Sequence, residues 1–434
     1  MARSELFSRG EQALKSGAYD EAKKLFREDE DAKGSRADSI AKLQAADAKL
    51  AAGDLNAAAA LYETVLERNP SVAEAYQGLG RIALFTGNVE AAKVHAMAAV
   101  RLAPRHGLGW TLVGLVHESL EEHDLVVEAL KKGAELSPEL FLCQFNLGRY
   151  LASRGRAPDA VAALTQATAL APNNPDGFLF LGLAYKVGKQ YRLALKALEK
   201  AKDLAPKNVD AWATLGDVLF ELREFQAARD MLDQGLAACG DHPALLEKAL
   251  AATMMLDDVP AAVAYLEREL KVAPQHEQAW LNLANVSILN GEYDKAEKVA
   301  KQLLEKNPRQ WEAHFVLGNL YAAAPVPQKA EAAYRKAIEC APTEWRPVVN
   351  LATLFIEGAD AARYPEAQAL LEKAAALAPK TEWRVPYNQA LALTRLGRKD
   401  EALALVRGIQ RDAPPTHPMV AEAKKLEANL LGGV

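Results

Sequence analysis

The chain has 434 residues, 50% of them hydrophobic but only 7% aromatic, with 52 Lys+Arg set against 57 Asp+Glu for a formal net charge of −5. That balance excludes the basic footprint a nucleic-acid backbone requires. Alanine is abundant, the composition of a helix former, and a globular chain of this length would ordinarily divide into two or three domains.

The opening stretch, MARSELFSRGEQALKSG, is interrupted by charges before an apolar core can form, so no secretory signal is expected and a cytoplasmic protein is. No run of about 18 uncharged apolar residues follows anywhere, so no membrane insertion is expected. Residues 1–36 end in acidic REDEDAKG without a closing proline and read as a degenerate, capping unit. Beyond them a strict beat sets in. Pro70, Pro104, Pro138, Pro172 and Pro206 stand 34 residues apart, Gly240 fills the next slot, and Pro274, Pro308 and Pro342 resume the series before it stretches to Pro379 and Pro414.

Two further columns keep the same period. A small residue recurs at Ala46, Gly80, Gly114, Gly148, Gly182, Gly216, Ala284 and Gly318, and an alanine at Ala58, Ala92, Ala160, Ala194, Ala228, Ala262, Ala296, Ala330, Ala367 and Ala402. Between prolines each unit reads as two amphipathic stretches, AWATLGDVLFEL and FQAARDMLDQGLAAC for example, with apolar residues at helical spacing. Gly or Ala sits where two short helices must approach, a turn often carrying Gly (Gly53, Gly87, Gly155, Gly291, Gly397) separates them, and the proline ends the pair. Leu250 and Val126 break the columns, and EGADAARYPEA inserts three residues in the eleventh unit. No single pair can bury its apolar face alone, so stacked pairs must share a core. After Pro414, THPMVAEAKKLEANLLGGV places Met419, Val420, Ala423, Leu426 and Leu430 on one helical side, which predicts a capping helix over residues 415–434.

Motifs that carry chemistry are missing. The glycines are spaced rather than clustered for a phosphate loop, no HExxH or nucleophile elbow occurs, and the eight His are scattered. Cys143, Cys239 and Cys340 lack CxxC partners and read as small buried side chains. No enzymatic activity, cofactor or metal is expected. One oddity remains: Thr-Glu-Trp-Arg at Thr343 returns at Thr381, each time with an Asn four residues after the Arg.

A helix–turn–helix unit of this length with Trp-x-x-Leu-Gly-x-x-Tyr, then Ala, then Pro resembles the tetratricopeptide repeat. Twelve such units run from Leu6 to Pro414, the stretches from Trp212 and from Trp280 carrying most of the pattern. The resemblance implies an all-α, right-handed superhelical solenoid over residues 37–414. It also implies a concave groove made by the first helix of each unit, at repeat positions 2, 5, 6 and 9 when the small residue is numbered 8 and the proline 32. Position 6 then holds Asn146, Asn282, Asn350 and Asn388. Position 9 holds Arg149, Asn285 and Asn319, and position 2 holds Arg346 and Arg384. The echo is thus one register, stations 1, 2 and 6, written in consecutive units.

Trp311, Trp345 and Trp383 share position 1 and form a candidate aromatic line, whereas Trp110, Trp212 and Trp280 fall at position 4, where the family packs an aromatic between helices. Asn amides can serve an extended peptide backbone and Arg a carboxylate. The N-terminal half, with Gln77, Thr111, Phe145, Leu179 and Phe180, offers no comparable set. The expected function is a non-enzymatic scaffold or adaptor that binds protein or peptide segments, acidic ones in the C-terminal units. A regulatory or targeting subunit of a separately encoded enzyme is the alternative, and a nucleic-acid binder is disfavoured by charge. Oligomeric state is not readable from the sequence.

Overall fold

The computed structural model describes residues 4–358 and 360–432; among them are twenty-five α-helices, one short 3-10 turn and no strand. The chain forms two compact units, Met1–Glu224 and Phe225–Val434. The first holds α1 (Glu5–Ser16), α2 (Tyr19–Ala32), α3 (Arg36–Ala51), α4 (Leu55–Arg68), α5 (Ala73–Phe85), α6 (Val89–Leu102), α7 (Gly107–Ser119), α8 (His123–Leu136), α9 (Phe141–Ser153), α10 (Ala157–Leu170), α11 (Pro175–Val187), α12 (Tyr191–Leu204) and α13 (Val209–Glu221). The second holds α14 (Phe225–Cys239), α15 (Pro243–Met254), α16 (Val259–Val272), α17 (Glu277–Leu289), α18 (Tyr293–Lys306), α19 (Trp311–Ala323), α20 (Pro327–Cys340), α21 (Trp345–Glu357), α22 (Tyr364–Leu377), α23 (Arg384–Arg395), α24 (Lys399–Asp412) and α25 (Pro418–Gly432).

Odd-numbered helices up to α23 are the first helices of repeats, and from α5 to α21 each begins at position 1. Local chemistry sets these boundaries. Asp54, Asn88 and Asp258 cap second helices, and Asn174 and Asn208 cap first helices, by accepting a backbone N–H at 3.0–3.3 Å. At position 15 the chain turns through the left-handed region. Gly53, Gly87, Gly155, Gly291 and Gly397 occupy that slot, but Glu121, Lys189, Arg223 and Asp257 occupy it too, with φ of 56–59°.

The small-residue column is a true close approach. A Cβ built on Gly80, Gly114, Gly148, Gly182 or Gly318 would stand 2.4–2.7 Å from a Leu or Tyr side chain of a neighbouring helix. Val126 is accommodated fully buried in its alanine slot, beside Leu130 and Tyr150. Of the cysteines, Cys143 is buried, whereas Cys239 and Cys340 are only half-buried. They are the last residues of the second helices α14 and α20.

At the first end, α1 and α2 form a hairpin that reaches beyond α3. Asn69 Nδ2, after α4, donates to the buried Glu30 at 2.8 Å, and the Lys23 ammonium donates to the Leu102 carbonyl at the end of α6. At the other end α25 buries Val420, Ala423, Leu426 and Leu430 against α24. Within the insertion, residue 359 lies outside the described residues. Ala361–Arg363 forms the 3-10 turn, with Arg363 over the Phe355 ring at 4.1 Å. No helix among the described residues is long and apolar enough to cross a membrane.

Candidate groove along the first helices

A partly enclosed cleft lies where the sequence offered least. In the first unit a cavity of about 330 Å³ opens against α3, α5, α7 and α9. Its walls are repeat positions: Glu74, Leu108 and Leu142 at position 2, Gln77 and Thr111 at 5, Gly78, Leu112 and Asn146 at 6, Asp47, Arg81 and Leu115 at 9, with His106 beside them. Positions 2, 5, 6 and 9 converge because they share one face of a helix, and four consecutive first helices present that face together.

Several lining groups are held. The Tyr62 hydroxyl donates to Asp47 at 2.5 Å, and burial together with that carboxylate keeps the phenol protonated far above its usual range. Gly78 is required here, since a Cβ would fall 2.2 Å from the Tyr62 ring. The Thr111 hydroxyl donates to the Gly107 carbonyl at 3.1 Å and touches Cys143 Sγ at 3.3 Å; burial pushes the Cys143 thiol up. The Gln77 amide lies 3.5 Å from His106 Nδ1. The result is an apolar floor of leucines edged by amide, hydroxyl and charged groups of both signs. In the sequence Gln77, Thr111 and Asn146 stand at groove positions, but no residue type recurs along them, so the first unit offered no comparable set. The signal was the coincidence of four positions, not a motif.

Asn146 belongs to this cavity, its amide donating to the Leu142 carbonyl at 2.8 Å. Arg149, read as a groove cation, instead forms two bonds to Glu118 of the preceding repeat, at 3.1 and 2.5 Å. Asp217 and Lys186 make the same link with charges exchanged, at 2.7 Å. Position 9 is therefore also an inter-repeat tie to position 12.

In the second unit Asn319, Asn350 and Asn388 stitch first helices together. Asn350 donates to Asn319 at 2.9 Å, Asn319 also accepts from the Tyr334 hydroxyl at 3.0 Å, and Asn388 donates to Thr353 Oγ1 at 3.2 Å. Asn285 bonds the Leu281 carbonyl at 3.0 Å, and Asn282 accepts from Gln278 at 3.0 Å. All five are half-buried, so each has polar capacity left over.

The repeated tetrapeptide makes a ladder. Arg346 packs over Trp311 at 4.8 Å and Arg384 over Trp345 at 5.5 Å, each on the tryptophan of the repeat before. Each arginine also bonds the Glu two residues earlier, Arg346 to Glu344 and Arg384 to Glu382, both at 2.7 Å. Those bonds raise the arginine pKa values and hold the glutamates below the usual carboxylate range. The arginines are exposed but neither idle nor free of packing: the Trp line is roofed by them. Trp383 packs into the last apolar cluster. The position-4 tryptophans each donate an indole N–H to a proline carbonyl, Trp110 to Pro104, Trp212 to Pro206 and Trp280 to Pro274, at 2.8–3.0 Å. Of these only Trp212 is buried. Among the described residues no cluster of three or more His, Cys, Asp or Glu is arranged to hold a metal.

Two family profiles, both described as tetratricopeptide repeat, match this chain, one over residues 145–186, 256–300, 289–344 and 357–418, the other over 49–115 and 188–252. Anaphase-promoting complex subunit 3 of Schizosaccharomyces pombe is 26% identical over 122 residues, a match that spans 28% of this chain and only 18% of that protein. A tetratricopeptide repeat protein from Parabacteroides merdae is 16% identical, with 59% of this chain and 98% of that one covered and a TM-score of 0.49. Yeast Tom70 is also 16% identical, with 98% and 95% covered and a TM-score of 0.45. The helix pairs, the small-residue approach and these profile matches agree: the chain belongs to the tetratricopeptide repeat family of protein-interaction scaffolds.

Proposed function

We propose that this protein is a non-enzymatic adaptor that holds extended protein segments along the row of first helices. The observation that carries the reading is the cavity in the first unit, walled by positions 2, 5, 6 and 9 of consecutive repeats. Its leucine floor suits an apolar side chain, and Gln77, Thr111 and Asn146 can serve a peptide backbone. In the second unit, Asn282, Asn285, Asn319, Asn350 and Asn388 would do the same. Arg346 and Arg384 would take acidic residues with the guanidinium nitrogens that their own glutamates leave unused.

The similarity to a subunit of the anaphase-promoting complex favours a second reading, in which the adaptor serves as a regulatory or targeting subunit of a separately encoded enzyme assembly.

The test is selection of peptides from a random display library on the full chain. Selected peptides should lose about tenfold in affinity on the Leu115→Gln/Leu142→Gln variant, equivalent to about 1.4 kcal/mol, with the melting transition unchanged. Peptides that bind this variant as well as the parent would place recognition elsewhere.

A further inference from the structure

The three position-4 tryptophans are fixed alike by their indole bonds, yet their ring faces are treated differently. Lys132 Nζ sits 3.6 Å from the Trp110 ring centre and Lys202 Nζ 5.3 Å from that of Trp212. Lys132 occupies position 26 of the same repeat as its tryptophan; Lys202 occupies position 28 of the repeat before. For Trp280 the corresponding stations are Gln302 and Leu270. No cation stands at either, and a cavity of about 410 Å³ lies against the ring instead.

This cleft is built by the second helices α16 and α18 over α17. Leu270, Leu283 and Val299 line its apolar part. The one lining carboxylate, Glu267, is bonded to Lys295 at 2.7 Å. That leaves Lys271 on α16 and Lys298 on α18, both exposed, as the rim cations held in no salt bridge among the described residues, although Asp294, Glu297 and Glu305 line an adjoining depression with Lys298. Lys271 feels the Asp241 carboxylate, which is already bonded to Arg268 at 2.6 Å. A second cavity of about 360 Å³ shares Trp280, Val299 and Gln302 and runs on along α18 to Glu305 and Lys306, so the depression is elongated.

We propose that the Trp280 cleft is a second peptide-binding site, between the second helices α16 and α18 and away from the first-helix groove positions, and that it takes a large apolar side chain flanked by carboxylates in an extended segment. The apolar side chain would lie on the uncovered indole face, in the place Lys132 and Lys202 fill at the other two tryptophans. The carboxylates would meet Lys271 and Lys298, one from each bounding helix. This inference uses none of positions 2, 5, 6 or 9 and stands independently of the first-helix reading.

The experiment labels the full chain with 5-fluorotryptophan and follows its fluorine NMR signals, that of Trp280 being assigned with Trp280→Phe. The probe is the acetylated, amidated peptide Glu-Asp-Phe-Glu-Asp, with Gln-Asn-Phe-Gln-Asn as its neutral counterpart. The acidic peptide should shift the Trp280 signal saturably. Gln302→Lys restores the position-26 cover, and Lys271→Glu/Lys298→Glu reverses the rim charge; each should weaken binding by about tenfold with melting unchanged. A Trp280 signal that does not move would overturn the proposal. So would equal binding of the neutral peptide, or shifts confined to Trp311, Trp345 and Trp383 on the first-helix row.

Discussion

Gly182→Ala isolates the contact on which the stacking of helices depends. The added Cβ would stand 2.5 Å from Cγ and 2.7 Å from Cδ2 of Leu198, a side chain that is fully buried and cannot swing aside. Overpacking of this kind costs about 1–3 kcal/mol, while exchanging a helical Gly for Ala returns about 1 kcal/mol of propensity, so a net loss of up to about 2 kcal/mol is expected. Leu198→Ala alone should cost about 2–5 kcal/mol through its cavity. In that background the new methyl group has room, and Gly182→Ala should become neutral or stabilising. The cycle therefore predicts a coupling of about 1–3 kcal/mol. Urea unfolding followed by circular dichroism gives the four stabilities. Hydrogen exchange of the α11 and α12 amides checks that the local pair is being read, because repeat arrays need not unfold in one transition. An equal loss from Gly182→Ala in both backgrounds would show that Leu198 is not what the glycine makes room for.

At position 15, Glu121→Gly and Lys189→Gly should each stabilise the chain by about 0.5–1 kcal/mol in the same urea assay, since a left-handed residue with a Cβ costs about 1–2 kcal/mol and glycine gives back only part of that in entropy. Gly155→Ala in the same slot should do the reverse. For the ladder, Arg346→Ala/Arg384→Ala should weaken display-selected acidic peptides by roughly tenfold or more, as expected when charge-assisted bonds worth about 1.5–3 kcal/mol are lost. Binding by the parent should also fall as salt rises. Because both arginines roof a tryptophan of the preceding repeat, a small loss of melting temperature should accompany the change; acidic-peptide binding that survives both substitutions would remove the arginines from the site.

The periodic columns made the helix pairs legible before any coordinates. Proline, small residue and alanine recur because each answers a steric demand made once per repeat, and a demand made ten times leaves a visible column. The groove of the first unit was legible only as repeat positions, not as a set of like residues, for the opposite reason. Gln77, Thr111, Leu115 and Asn146 share a wall without sharing chemistry, and only the stacking of first helices brings them to one cavity. The ladder falls between these cases. Thr-Glu-Trp-Arg contained its own glutamate all along, but whether Glu344 turns back to Arg346 or toward a ligand depends on the start of α21, where the Glu344 carboxylate also accepts the Arg346 N–H at 3.3 Å. Likewise the column of position-4 tryptophans was visible, whereas the loss of cover at Trp280 appeared only when Lys132 and Lys202 were seen over the other two rings.

The hairpin of α1 and α2 gives the two ends of the chain different modes of wear. At one end α25 rests on α24 through four buried side chains and through Glu427, which accepts from Arg407 and Gln410 at 2.7 and 2.8 Å, so all its ties are to the adjacent repeat and its loss is expected to leave the earlier repeats in place. At the other, Glu30 and Lys23 are anchored after α4 and at the end of α6, so two successive repeats are clasped by a segment that precedes both. Release of those repeats from that side is expected to begin with loss of these two bonds, the hairpin leaving as a block.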